Sequence, residues 1–177
     1  QLFENDHPTV VYNPTQSPAK TSWHRFGPQV LDFFARSDRW NLIFAPHVLL
    51  FRRSFTRGAR LPRRFRPSPT LRIDLGSRAS VDMTYLRAAD LYLGDQSSQI
   101  YEFINWPRPC VFLNAGGADP QDPRYRSWSF GPVVDDPAQL GPALDLALAE
   151  FHRWEPVQSR ARDEERFEDD MPASARG

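Results

Sequence analysis

The sequence has very little cysteine: Cys110 is the only one among 177 residues. A single thiol excludes an internal disulfide framework and a cysteine-based zinc site, and it indicates a reducing compartment. No apolar run approaches the ~20 residues that a membrane-spanning helix needs. The segment QLFENDHP at the start lacks the basic and apolar parts of a signal peptide. These absences predict a cytoplasmic protein.

Other signals are also missing. The formal net charge is zero, so nothing favours nucleic acid as a partner. The sequence contains no G-x-S-x-G, no H-E-x-x-H and no glycine-rich phosphate loop. It has no metal-type spacing of Cys and His and no carboxylate cluster with a supporting histidine. We therefore expect no metal site and no cofactor.

The order of apolar segments predicts a parallel sheet. Buried strands are expected at residues 9–13, 41–46, 71–74, 91–94 and 110–113, with a possible sixth in GPVVDD. Helical patterns separate them, with one expected over GPQVLDFFARSD that has Pro28 in its first turn, a second from Asp82 to Ala89, and others in SSQIYEFINW and PAQLGPALDLALAEF. Strands that alternate with helices over short connections predict a Rossmann-like, doubly wound α/β domain. We assign residues 9–154 to this domain, residues 1–8 to a linker and residues 155–177 to a disordered, charged tail.

In a sheet of this kind, ligands bind at the carboxyl ends of the strands. Asp95, Ser97 and Ser98 stand where the fourth strand meets a helix, so they could hold an anion such as a phosphate at the helix start. They could equally be ordinary helix caps. His47 ends the second strand, where an imidazole could donate to a phosphate or act as acid or base, or could be a structural residue. The loop after the first strand contains Thr15 and could contact the same ligand or be a plain polar connection.

A basic segment begins at Arg52 and ends at Arg66. It interleaves seven arginines with aromatic residues and shows no clear period. It could contact diphosphate, an anionic polymer or anionic lipid headgroups. A solvated, mobile loop is the simpler interpretation for most of these arginines.

The motifs together resemble one family. VVYNPT, LIFAPH, the segment YLRAADLYLGDQSSQIYEFINWPRPCVFLN and GPVVDDPAQL follow one another in the order seen in the C-terminal half of CDP-glycerol glycerophosphotransferases, the teichoic-acid and capsule polymerases. The family pattern is matched at the residues Tyr12, Pro14, Thr15, His47, Asp95, Ser97, Ser98, Glu102, Pro109 and Phe112. Two positions depart from it: Gln96 replaces the usual Tyr, and Val48 follows His47 where the family has Pro.

The resemblance implies one half of a GT-B fold, similar also to the C-terminal domain of UDP-N-acetylglucosamine 2-epimerases. It implies a nucleotide-activated donor, CDP-glycerol or a CDP- or UDP-sugar, and an anionic polymer as acceptor. It implies that His47 is catalytic and that Thr15, Asp95, Ser97, Ser98 and Glu102 bind substrate. The whole enzyme would work in the cytoplasm, possibly peripheral on the inner membrane face through the basic segment.

Two alternatives remain open at this point. A sugar-nucleotide epimerase would share the fold, but it needs several carboxylates near the sugar, and the strand-end loops are poor in them. A non-catalytic binding module would also share the fold. If a preceding domain that binds the acceptor is missing, the chain is expected to be inactive alone.

Overall fold

A computed structural model describes the backbone of residues 2–52 and 59–170, and the side chains of these residues up to 165. Its centre is a six-stranded sheet in the order β3-β2-β1-β4-β5-β6. Every neighbouring pair of strands is parallel. The strands are β1 Thr9–Asn13, β2 Asn41–Phe44, β3 Leu71–Ile73, β4 Leu91–Gly94, β5 Cys110–Leu113 and β6 Val133–Val134.

Helices connect the strands. The α-helices are α1 Trp23–Ala35, α2 Arg78–Val81, α3 Thr84–Ala88, α4 Gln99–Phe103, α5 Leu140–Ala149 and α6 Glu155–Asp170. Short 3-10 helices cover Pro123–Phe130, Pro137–Gln139 and Phe151–Arg153. Parallel strands with helical crossovers and this strand order form a Rossmann-like, doubly wound domain. The predicted fold class is therefore confirmed.

The central strands are apolar throughout because both faces of the sheet are covered. Alternate residues of β1 point to opposite faces, so Val10 packs in one core cluster and Val11 in the other. The first cluster lies under α1 and α5, and the second lies under α3, α4 and the 3-10 helix at Pro123–Phe130. Cys110 is buried in the second cluster, and burial raises the pKa of its thiol.

Some element boundaries differ from those predicted. β2 and β3 end at Phe44 and Ile73, one or two residues before the predicted ends. Helix α1 begins at Trp23, so Pro28 lies inside it rather than in its first turn. The helix predicted from Asp82 to Ala89 begins only at Thr84, because Met83 adopts a left-handed backbone conformation with φ 63°. A separate short helix that was not predicted, α2, precedes it.

The predicted disordered tail is wrong for Glu155–Asp170. These residues form α6, and Gln158 of this helix is completely buried. Its amide accepts the backbone N–H of Arg108 at 3.0 Å and donates to the carbonyl oxygens of Arg108 and Phe130, both at 2.9 Å. The buried amide fixes α6 against the start of β5, although the helix has few apolar residues. Residues 171–177 lie outside the described part of the chain.

The basic segment is only partly described, because residues 53–58 fall outside the described ranges. Its remaining arginines are exposed, as expected. Phe65 is buried, and Arg64 pairs with Asp32 of α1 at 2.9 Å, so this end of the segment is attached to the domain. No described helix is long and apolar enough to cross a membrane.

Candidate functional site

The carboxyl edge of the sheet changes direction between β1 and β4. The chain runs outward from β1 through β2 to β3, and then from β4 through β5 to β6. The loops after β1 and β4 therefore leave the sheet as neighbours, and in open α/β sheets the ligand crevice lies between such loops. Such a switch point is where ligands bind in open α/β sheets.

Asp95 connects these two loops. Its carboxylate accepts the backbone N–H of Thr15 at 2.8 Å and that of Ser22 at 3.0 Å. The side chain has no exposed surface, and burial raises the pKa of Asp95 to about 7. A group enclosed in this way positions the loop after β1. The predicted direct contact of Asp95 with substrate does not fit this burial.

Ser97, Ser98 and Glu102 lie on the other side of the crevice. The Ser97 hydroxyl oxygen accepts the backbone N–H of Gln99, the first residue of α4, at 3.3 Å. Ser98 is exposed and makes no side-chain cap. Glu102 is exposed on α4 four residues after Ser98, so the two lie on the same helix face. Because α4 has only five residues, its dipole is small, and the serine hydroxyls would contribute more than the dipole to the binding of an anion.

His47 follows β2 at the same edge. Its backbone N–H donates to Pro14 at 3.0 Å, so it contacts the loop after β1. Its Nδ1 accepts the backbone N–H of Leu49 at 3.3 Å, which leaves the ring proton of a neutral imidazole on Nε2. Burial lowers the pKa of His47. His47 follows β2 and Ser97 follows β4, and β1 lies between these two strands. At the usual strand spacing β2 and β4 are therefore about 10 Å apart.

The loop after β1 therefore lies between the histidine and the serines. Pro14 contacts His47, and Thr15 contacts Asp95. Lys20, further along this loop, donates from Nζ to the amide oxygen of Gln96 at 2.6 Å. The structure thus brings the predicted residues to one edge of the sheet, with Asp95 beneath the surface.

One feature was missed in the sequence. Every strand except β2 is followed by, or ends in, an Asn or Asp: the five residues are Asn13, Asp74, Asp95, Asn114 and Asp135. Asn13 donates to the carbonyl oxygen of Ala45 at 2.6 Å, and Asn114 donates to Asp135 at 2.7 Å. Short polar side chains can bind backbone groups of the loops next to them. The sequence shows this feature as apolar runs that end in Asn or Asp, but it does not show which backbone groups these side chains bind.

Three concave surfaces that are lined by described residues contain none of the predicted site residues. A groove of about 640 Å³ lies between α1 and α5, and one of about 680 Å³ lies beside β3. Both are larger than a cavity of about 320 Å³ at the carboxyl edge beside β2 and β3, which is lined by Val48, Phe51 and Leu75. We retain the switch point because strand topology, rather than groove size, fixes ligand position in this fold. Within the described ranges no group of three or more His, Cys, Asp or Glu residues could hold a metal ion.

Two solved structures share this architecture. The glycotransferase of kitacinnamycin is 16% identical, with a TM-score of 0.58 over 88% of this chain and 39% of that chain. CalG4, the calicheamicin glycosyltransferase, is 19% identical, with a TM-score of 0.57 over 91% of this chain and 42% of that chain. No protein-family model matches the sequence, and no curated protein matches it.

At this level of identity the likeness defines the fold. The chain is an α/β domain with a Rossmann-like, GT-B glycosyltransferase-like fold. It spans about two fifths of the length of the two solved chains.

Proposed function

We propose that this chain is the donor-binding domain of a transferase that moves glycerol phosphate or a sugar from a nucleotide-activated donor. The observation that carries the proposal is the connection of the loops after β1 and β4 by Asp95, which accepts N–H groups from Thr15 and Ser22. It shapes the crevice at the switch point, where this fold binds ligands. The glycosyltransferase-like architecture supports the same assignment.

The donor diphosphate would lie against the hydroxyls of Ser97 and Ser98. Both can donate a hydrogen bond, because Ser97 accepts from Gln99 with its oxygen and keeps its own proton. Thr15 would contact the same group from the facing loop. Donors held in a fixed position where charge develops on the leaving nucleotide would lower the barrier to transfer.

His47 would be the catalytic residue. Its Nε2–H, held by the Nδ1 contact to Leu49, could donate to a phosphate oxygen or exchange a proton at the attacked centre. Glu102, exposed on α4, would accept hydroxyls of the donor. Asp95 takes a positioning role in place of the predicted substrate contact.

CDP-glycerol, or a related CDP- or UDP-sugar, is the donor that the family resemblance favours. An anionic cell-envelope polymer would then be the acceptor. The exposed arginines of the basic segment, including Arg60 and Arg66, could attach the protein peripherally to the inner membrane face through anionic headgroups. Neither a cofactor nor a resident metal is part of this proposal.

The test is a thermal unfolding panel with CDP-glycerol, CDP, UDP and UDP-sugars at millimolar concentration. A ligand at about 100 times its Kd raises the unfolding free energy by about 2.7 kcal/mol, so a bound donor shifts the transition measurably. The paired substitution Ser97→Ala with Ser98→Ala should weaken binding by roughly 1–3 kcal/mol, the scale of hydrogen bonds to charged groups. Ser159→Ala on α6 is the matched control.

The outcomes separate the alternatives. If no nucleotide compound shifts the transition, the chain is a non-catalytic module with this fold. If a UDP-sugar binds and is interconverted without an acceptor, the epimerase assignment replaces the transferase. If the serine pair lowers stability while donor binding is unchanged, both serines serve the helix start alone.

A further inference from the structure

Lys20 is the only lysine in the chain, and it lies in the crevice at the switch point. Its ammonium group donates to the side-chain oxygen of Gln96 at 2.6 Å, across the crevice between the loops after β1 and β4. This partner is a neutral amide. Among the described residues no carboxylate lies within ion-pair distance of Lys20. The positive charge is therefore held in place but not neutralised.

The nearby carboxylates do not compensate this charge. Asp95 is next to Gln96 in sequence, but it is buried and both of its oxygens accept backbone N–H groups. Glu102 and Asp119 are exposed on α4 and on the loop after β5. An ammonium group retains two more protons for hydrogen bonding after it donates to Gln96. A partly buried, unpaired cation attracts an anion more strongly than a fully solvated one does.

A third loop reaches the same place. A Cβ atom on Gly116 would lie 3.6 Å from the carbonyl oxygen of Ala19, so the loop after β5 touches the residue before Lys20. Arg25 of α1 donates to the carbonyl oxygen of Ala115 at 2.8 Å and fixes this contact. Loops from β1, β4 and β5 thus converge around Lys20. A ligand bound between these loops would lie close to this side chain.

The groups available there are mainly donors. Gln96 binds Lys20 through its oxygen, so the two N–H protons of its amide are not used in this bond. Ser97 and Ser98 add hydroxyl donors one and two residues later. A site rich in donors with a net positive charge suits a ligand that only accepts hydrogen bonds and is strongly negative, as a diphosphate is.

We infer that Lys20 is the diphosphate-binding cation of this crevice and that Gln96 is the residue that positions it. The inference rests on the proposed donor-binding function and deepens it. It also gives a physical role to Gln96, which stands where the family pattern has Tyr. An amide at this position holds the lysine without neutralising it, whereas a carboxylate would form an ion pair and repel the phosphates.

Three variants test this inference by calorimetric titration with CDP and with inorganic pyrophosphate. Lys20→Met and Gln96→Glu should each weaken pyrophosphate binding about ten- to a hundredfold, the scale of lost charge-assisted hydrogen bonds. Arg36→Met is the matched control, because it changes the net charge equally at the exposed far end of α1. It should stay within about twofold, as surface changes away from a site do.

The unique lysine allows a second readout without any mutation. The acylation rate of Lys20 by an amine-directed reagent is measured by mass spectrometry of its peptide. Saturating CDP or pyrophosphate should slow this acylation, and cytidine without phosphate should not. Equal rates with and without pyrophosphate would overturn the inference.

The results also separate this inference from the proposed function. If CDP binds and the serine pair matters while Lys20→Met and Gln96→Glu bind normally, the function stands and the inference falls. If pyrophosphate binds through Lys20 but no CDP or UDP compound binds, the inference stands and the donor function falls. If the unmodified protein binds neither, both fall.

Discussion

Asp95 holds Ser22 through a hydrogen bond of 3.0 Å from the Ser22 backbone N–H, although the two residues lie 73 positions apart in the sequence. The other oxygen of the same carboxylate holds Thr15. Both ends of the loop after β1 therefore depend on one buried side chain that belongs to the loop after β4. The position of Lys20, between these two anchors, depends on it as well.

We expect Asp95→Asn to destabilise the protein by about 1–3 kcal/mol, the cost of leaving one buried N–H without an acceptor. An amide can accept from only one of the two N–H groups and directs its own NH2 at the other. Chemical denaturation checks this value, with the exposed Asp38→Asn as control. Equal stability of the two variants would mean that Asp95 is not a structural anchor.

The same residue predicts a pH dependence with a definite sign. The pKa of Asp95 is raised to about 7 in the folded protein, against about 3.9 in an unfolded chain. The folded state therefore binds this proton more readily than the unfolded state does. The resulting contribution to the free energy of unfolding is fully present below about pH 4 and is lost as the pH rises through about 7. The stability advantage of the unmodified protein over Asp95→Asn should shrink across this interval. An advantage that grows with pH would show that the two N–H bonds outweigh burial.

His47→Asn should separate catalysis from folding. The Asn side-chain oxygen can take the place of Nδ1 and accept the N–H of Leu49, while the Nε2–H donor is lost. If the proposed transfer reaction uses His47, turnover should fall about 100-fold or more, as expected for a general acid or base, with little change in melting temperature. Unchanged turnover would remove His47 from the reaction.

Stability at acidic pH gives a second readout for His47. Its pKa is lowered by burial in the folded state, so the unfolded state binds the proton more readily than the folded state does. This contribution is present above the ordinary imidazole pKa, about 6.5, and is lost as the pH falls. The stability of the unmodified protein should therefore decline relative to His47→Asn between about pH 7 and pH 5.

Gln158→Leu tests the attachment of α6. Leucine has a similar size but leaves the N–H and the carbonyl of Arg108 without their buried partner. We expect a loss of about 2–4 kcal/mol, from more than one orphaned buried group. Gln121→Leu, at an exposed loop position, is the control. If the two variants melt alike, the hydrogen bonds of Gln158 do not contribute to the stability of the domain.

Gly131→Ala should be among the most damaging single-methyl changes. A Cβ at this position would lie 1.9 Å from the carbonyl oxygen of Cys110, which is fixed at the start of β5. We expect a loss of about 3 kcal/mol, because the clash is with backbone and cannot be relieved by a side-chain rotation. Gly116→Ala, with its nearest contact at 3.6 Å, should be nearly neutral. Similar melting of the two variants would show that β5 yields easily.

The sheet was predictable because its strands are buried on both faces, so segments such as LIF of β2 are apolar throughout and need no knowledge of their neighbours. The anchors at the strand ends were not predictable in the same way. Asp95 was correctly located at the edge of the sheet, but its partners lie 73 and 80 positions away. Only the folded chain shows that this carboxylate faces inward.

Two other differences also have physical causes. The break at Met83 needs a left-handed backbone at a residue other than glycine, which local sequence rarely reveals. Helix α6 is not predicted from the sequence, because its charged residues form almost no apolar pattern. Its attachment comes instead from the buried amide of Gln158, whose partners at Arg108 and Phe130 are set by tertiary structure.

The dependence of β5 on Gln158 has a consequence for the order of events during synthesis. Arg108 leaves the ribosome 50 residues before the side chain that satisfies its backbone. Domains fold as units as the chain emerges, and this one stays incomplete at the start of β5 until α6 is outside the exit tunnel. Until then the backbone N–H and carbonyl groups of Arg108 that Gln158 binds in the finished domain stay solvated.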